Sequence, residues 1–252
     1  MNIDIEKAKK EFLKYTEKFD LSEEHIKRKQ QHSLRVMQKS KRISELLKLT
    51  QEEIELATLI GLLHDIARFE QYTKFETFND LLSIDHADYG VEILNKDIRK
   101  YIKQDKYDEI IKKAIKNHNK YAIEEGLTES QLLFAKIIRD ADKLDILYEA
   151  VDMFWKDTEK EIEETTIYEN VYEQFMQNKT VKTEKRKEKD NVNKVISTIA
   201  LIFDINFKES FEIIKKEDYI NKILNRFDFK DKDTKTKIEQ IRKIANEYVE
   251  KG

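Results

Sequence analysis

Leu62-Leu63-His64-Asp65-Ile66-Ala67-Arg68 is the stretch on which the reading of this chain turns. A histidine and an aspartate stand side by side at the end of an apolar run. Ile60, Leu62, Leu63 and Ile66 carry that run into a core, which leaves two ionisable groups at the core's edge. Such groups are costly to desolvate unless something pairs with them. A divalent metal does so, because neutral imidazole and carboxylate are common ligands for Zn, Mn or Fe. Taken alone, the dipeptide fits an ordinary capped helix end equally well. It gains meaning only if further ligands arrive from elsewhere in the chain.

The surroundings of this stretch read as helix. The chain has 252 residues, no proline and four glycines. Strand-rich folds need frequent turn residues, and this sequence lacks them. Lys, Glu, Ile and Leu dominate, with apolar residues at helical spacing. The expectation is an all-α fold. A first amphipathic helix is expected over about Asp4 to Phe19. A second follows with Ser22 as its N-cap and runs to about Lys48, with His32 one turn before Val36. Thr50 caps a third helix that ends at His64-Asp65, and Gly61 in it allows another helix close approach. Residues 69–84 show no sustained period and carry Phe69, Tyr72, Phe75 and Phe78, a loop or short helices able to cover a site. These aromatics fit core packing or a base-stacking pocket. Asp85-His86-Ala87-Asp88 opens the next helix. Another, about Asp108 to Asn117, delivers His118 at its end. Thr128 caps a long helix that contains Asp140, Asp142 and Asp145, of which Asp142 and Asp145 share a face.

The bulk numbers exclude some classes. Charged residues make up 39% of the chain, but the signs nearly cancel to a net charge of −3, which argues against nucleic-acid binding driven by overall charge. A basic run at Lys179, Lys182, Lys185, Arg186, Lys187 and Lys189 is interrupted by Glu184 and Glu188, and reads as a solvated face that could also dock a phosphorylated ligand. Cysteine is absent, so any metal is held by histidine and carboxylate. Met1 to Lys10 is charged and lacks an apolar leader segment, and no run of about 18 apolar residues occurs. The expectation is a cytoplasmic protein without a membrane partner. Helices are also expected over Asn191 to Asp204 and about Thr234 to Lys251. A homodimer is compatible with the sequence, although no feature requires one.

All five histidines fall between positions 25 and 118. His32, His64, His86 and His118 each lie at a helix end or on a helix face near polar groups, whereas His25 reads as surface. The order His32, His64-Asp65 and a late Asp142 resembles the HD-domain superfamily of metal-dependent phosphohydrolases. The phrases that carry the resemblance are His-Ser-Leu-Arg-Val at 32–36, Leu-Leu-His-Asp-Ile at 62–66, His118 closing an Ile-rich helix, and Asp-Ala-Asp-Lys-Leu-Asp at 140–145. The chain is most similar to small stand-alone HD hydrolases, over about residues 22–150.

The expected organisation is an N-terminal helix plus the HD-like helical bundle in residues 1–150, with a helical C-terminal extension in residues 151–252 packed back on it. The resemblance implies that His32, His64, Asp65 and Asp142 hold a divalent metal. His86 and His118 match the extra histidines of the two-metal branch, which includes some cyclic-nucleotide and cyclic-dinucleotide phosphodiesterases. In that branch Asp65 would bridge the metals; otherwise the two histidines contact phosphate. Some relatives place a catalytic glutamate shortly after the His-Asp pair; here Arg68 and Glu70 follow, and no general base is assigned. A metal lowers the pKa of bound water toward neutrality. Arg68 and Lys143 are candidates to neutralise a phosphate. The implied cofactor is one or two ions of Mn, Fe, Zn or Mg. The implied activity is hydrolysis of a phosphate ester or anhydride of a small molecule, a nucleotide foremost. Two other readings stand beside it: a non-catalytic nucleotide- or signal-binding module using the same pocket, and a nuclease using the basic run.

Overall fold

The computed structural model describes residues 3–155, 158–181 and 191–252. The fold is all-α, with no strand among the described residues. The chain divides into two compact units, Met1–Asp142 and Lys143–Gly252. The basic run from Lys182 to Lys189 lies outside the described residues.

The first unit contains α1 (Ile5–Thr16), α2 (Glu24–Leu46), α3 (Gln51–Leu63), α4 (Arg68–Phe75), α5 (His86–Asp97), α6 (Asp108–Asn117) and the first part of α7 (Glu129–Asp152). Its helix starts follow local chemistry. Thr50 and Glu53 form a reciprocal capping box at α3. Asp85 accepts from the amides of Ala87 and Asp88 at α5. Thr128 and Gln131 close the start of α7 in the same reciprocal way. Ser22 is not the cap of α2: its amide and hydroxyl both donate to Asp20 Oδ1, and the Glu23 side chain takes the amide of His25 instead. The chain thus makes an Asx-type turn before the helix, a local competition that Ser22-Glu23-Glu24 does not reveal. The aperiodic stretch after Arg68 resolves into α4 and a short 3₁₀ turn at Asp80–Leu82.

The core of this unit is built on α3, buried from Leu56 through Leu63. α1 covers the turn after α3. Phe12, Tyr15 and Phe19 set their rings 5.9, 6.1 and 5.6 Å from that of Phe69, and the Tyr15 hydroxyl donates to the Ile66 carbonyl. α2 passes against α3 at Gly61. A Cβ on Gly61 would stand 2.5 Å from Ser40 Oγ, 2.9 Å from the Val36 carbonyl oxygen and 3.0 Å from Met37 Cα. Only glycine permits this approach, and the approach brings the face of α2 that bears His32 beside His64.

The second unit contains the rest of α7, then α8 (Glu159–Glu164), α9 (Glu169–Met176), α10 (Val192–Ile199), α11 (Lys208–Glu217), α12 (Tyr219–Asn225) and α13 (Lys232–Lys251). Trp155, Phe175, Val195, Ile199, Ile223 and Ile241 are buried in it. Arg226 ties α8 to the end of α7, through Glu159 and the Val151 carbonyl. No described helix is long and apolar enough to cross a membrane.

Gly61→Ala tests the helix crossing. Overpacking of this kind costs about 1–3 kcal/mol, against about 1 kcal/mol gained in helix propensity. The expected net result is a lower urea midpoint with an unchanged slope; an unchanged or higher midpoint would show that α2 yields freely.

Candidate metal centre

Each candidate ligand hangs from a different place in the first unit. His32 lies within α2, and His64 and His118 are the C-caps of α3 and α6. Asp65 opens the turn after α3, His86 is the first residue of α5, and Asp142 lies on α7. Yet the structure brings all of them together. His32 Nε2 is 3.3 Å from His64 Nε2, and Asp142 Oδ1 is 3.1 Å and 3.7 Å from these two nitrogens. His86 Nε2 is 2.9 Å from His118 Nε2. Asp65 stands between the two groups. Its Oδ2 is 3.6 Å from both His32 and His64 Nε2, while its Oδ1 is 3.4 Å from His86 and 3.5 Å from His118.

The ring orientations follow from hydrogen bonds on the other nitrogen. His64 Nδ1 lies 2.9 Å from the Gly61 carbonyl oxygen, and His118 Nδ1 lies 2.6 Å from that of Ile115. A carbonyl only accepts, so each Nδ1 carries the proton and each Nε2 presents a lone pair. His86 Nδ1 faces Asp80 Oδ2 at 2.6 Å and is assigned in the same way. Lone pairs of His86 and His118 then face each other across 2.9 Å. Such a pair is repulsive unless a cation stands between or beside it. The donor set of imidazole nitrogen and carboxylate oxygen, each oriented by a partner behind it, fits a divalent metal. Two groupings, His32/His64/Asp142 and His64/Asp65/His118, bring their donor atoms within 4.8 Å of one another.

The electrostatics agree. His32, His64, Asp65, His86 and His118 are all at most 5% exposed. Burial alone would raise the pKa of Asp65, but Lys29, His64, His118 and Arg68 hold it well below the usual carboxylate range. Asp142 is likewise opposed by burial and held well below the usual range by the neighbouring His32 and His64. Burial pushes His64 down, and it pushes His86 down to about 4 against the pull of Asp80. Asp65 and Asp142 are thus held ionised while burial favours neutral His64 and His86, the protonation states that metal ligation requires.

A family model for the HD domain matches residues 30–147. The chain carries an HD domain over these residues. Searches among curated proteins and among solved structures gave no significant match. The HD domain is an all-α fold whose family is generally made of metal-dependent phosphohydrolases.

The structure also places the remaining candidates in this HD domain. Arg68 Nη1 donates to Gln71 Oε1, the Phe78 carbonyl and Asp80 Oδ1 at 2.7–2.9 Å. Its Nε is buried, lies 3.5 Å from Asp65 Oδ1 and makes no hydrogen bond. Lys143, the first residue of the second unit, sits 2.8 Å from Asp204 Oδ2. Glu70 is turned to Lys74 and the Tyr89 hydroxyl. Arg139 donates to the carbonyls of Asn117 and Lys120, which fixes the chain on both sides of His118.

Several functional neighbours escape a reading of the sequence. Lys29 Nζ is 2.9 Å from Asp65 Oδ2. Its position one turn before His32 was the available signal. Asp80 gathers Arg68, Gln71, His86 and Asn119; against burial, His86 first and then Arg68 and Gln71 hold its carboxyl far below the usual range. Asp80, Asp85 and His86 also cluster, but here the oxygens are already met by side-chain donors, including Lys120 on Asp85. This cluster orients His86; it does not need an ion.

Two outcomes test this centre. Asp80→Asn removes the charge behind His86 and is expected to weaken divalent-metal binding about 10–100-fold, read by calorimetric titration with Mn²⁺; unchanged affinity would deny Asp80 that role. His86 falls from an ordinary 6.5 to about 4 on folding, so between those values the unfolded chain binds more protons. The His86 contribution is present above 6.5 and disappears as the pH drops toward 4. Urea titrations of metal-stripped protein are therefore expected to show lower stability at pH 5 than at pH 7, with His86→Gln reducing the difference.

Proposed function

We propose that this HD domain hydrolyses a phosphate ester or anhydride of a small molecule, with nucleotides the first class to test. One observation carries the reading: a single buried carboxylate, Asp65, directs one oxygen to His32 and His64 and the other to His86 and His118. In this reading Asp142 completes the first group. His32, His64, Asp65 and Asp142 hold one divalent ion, and Asp65, His86 and His118 contribute to a second. Bound divalent ions supply Lewis acidity, lowering the pKa of water and offsetting charge on the phosphate oxygens.

The chain's own residues do the rest. The carbonyls of Gly61 and Ile115 and the carboxylate of Asp80 keep each Nε2 aimed inward. Arg68 and Lys29 bring positive charge to either side of Asp65. The Arg68 guanidinium, whose Nε faces Asp65 Oδ1, is the group that would offset phosphate charge, the kind of charge-assisted interaction that strengthens as charge develops on the transferring group. Lys143, engaged by Asp204, is given no such role. The intact donor set favours catalysis over a purely binding module, in which such ligands could be lost without penalty.

Phosphate release from nucleoside mono-, di- and triphosphates with Mn²⁺, and chromatography of cyclic nucleotides, test the proposal. Turnover is expected for at least one of these substrates. Asp65→Ala is expected to abolish it and to reduce bound metal, while the helical circular dichroism is kept. Full activity in the variant, or no turnover on any substrate by metal-loaded wild type, would overturn the assignment.

A further inference from the structure

The activity proposed above leaves a row of aromatic rings beside Asp65 unexplained. Phe78 and Tyr72 are half-buried, with ring centroids 4.8 Å apart. His25, which is exposed, sets its ring 5.1 Å from that of Tyr72 and 6.2 Å from that of Phe78. Rings of this size belong in a core, as Phe69 does, unless something else covers them. A few residues further along the chain, Leu81 and Leu82 are 64% and 62% exposed.

This row is tied to the site by charge. Lys29 Nζ lies 5.5 Å and Arg68 Cζ 5.7 Å from the centre of the Phe78 ring. These are the same two cations that stand against the two oxygens of Asp65. The ring is also firmly presented. The Phe78 carbonyl accepts from Arg68, Asn79 Oδ1 accepts from the Leu81 amide, and Ser83 Oγ donates to the Asn79 carbonyl. Aromatic faces next to phosphate-binding cations are the combination that holds nucleotides: the base stacks, and the charge takes the phosphate.

We infer that Phe78, with Tyr72 and His25 extending outward, is a stacking shelf for the aromatic base of a nucleotide whose phosphate lies at Arg68 and Lys29. The inference rests on reading the Asp65 cluster as the phosphate-binding end. The sugar spans from the cations to the shelf, so specificity for a base-bearing substrate comes from Phe78, between α4 and α5, with Tyr72 of α4 and His25 of α2. The metal ligands themselves contribute none of it.

The test uses the full chain with Mn²⁺ and two probes, the phosphonate analogue of adenosine monophosphate and methylphosphonate, which carries the same acidic head without a base. Stacking on an aromatic side chain gives about 5- to 150-fold, so wild type is expected to bind the nucleotide analogue at least about fivefold more tightly than methylphosphonate. Phe78→Ala is expected to erase that preference with little effect on methylphosphonate, and Phe78→Trp to keep it. Equal affinity for both probes in wild type, no binding of the nucleotide analogue, an equal loss for both in Phe78→Ala, or loss of the preference in a folded Phe78→Trp would overturn the shelf. The two proposals fail separately. Phosphate release with equal preference for AMP and ribose 5-phosphate keeps the hydrolase and removes the shelf. Phe78-dependent binding without turnover does the reverse.

Discussion

Everything in the first unit answers to one constraint: the carboxylate of Asp65 is buried and must stay ionised. An isolated buried carboxylate protonates rather than bear the loss of water. Here Lys29 and Arg68 approach from either side, and four imidazoles fill the remaining directions. The surrounding elements exist in the form needed to supply those partners. α1 holds the turn of Asp65 through the Tyr15–Ile66 bond, Gly61 admits α2 with His32 and Lys29, and Arg139 pins the chain around His118. A charge arrangement of this kind is poor value for stability alone, since apolar packing of the same volume commonly does as well or better. Its presence points to chemistry.

The part of this design visible in the sequence was the part written in short-range pattern. Helix periodicity marks α3 and α6 almost to the residue, and the cap signals at Thr50 and Thr128 hold because capping depends on neighbours within one turn. The histidines and aspartates stood out because ionisable groups were embedded in apolar runs. Ser22 misled because two local hydrogen-bonding patterns compete for the same side chain. Asp80 was invisible for another reason. It lies in a stretch without period, and its meaning comes from Arg68, Gln71, His86 and Asn119, three of which belong to other elements. No spacing rule reports such a convergence.

The division of the chain adds a point about α7. The boundary between the compact units falls between Asp142 and Lys143, inside one continuous helix. Neighbouring residues in the helix thus serve different units: Asp142 meets His32, and Lys143 meets Asp204. Proximity in the phrase Asp-Ala-Asp-Lys-Leu-Asp suggests a shared role for its charged residues, but adjacent positions on a helix point about 100° apart, and their partners are distinct.

The hydrogen bonds behind His64 and His118 have a further consequence. Both residues cap the C-terminal ends of helices, where the last carbonyls have no intrahelical donor and the macrodipole leaves partial negative charge. In each case the imidazole Nδ1–H meets one of the last carbonyls of its own helix. Ending the helix and aiming the ligand are therefore one event, encoded within a single turn and repeated at two points in the fold. The two rings come within 5.1 Å of each other, so two negative helix poles converge on the same small volume. The backbone itself thus attracts cations and repels anions there.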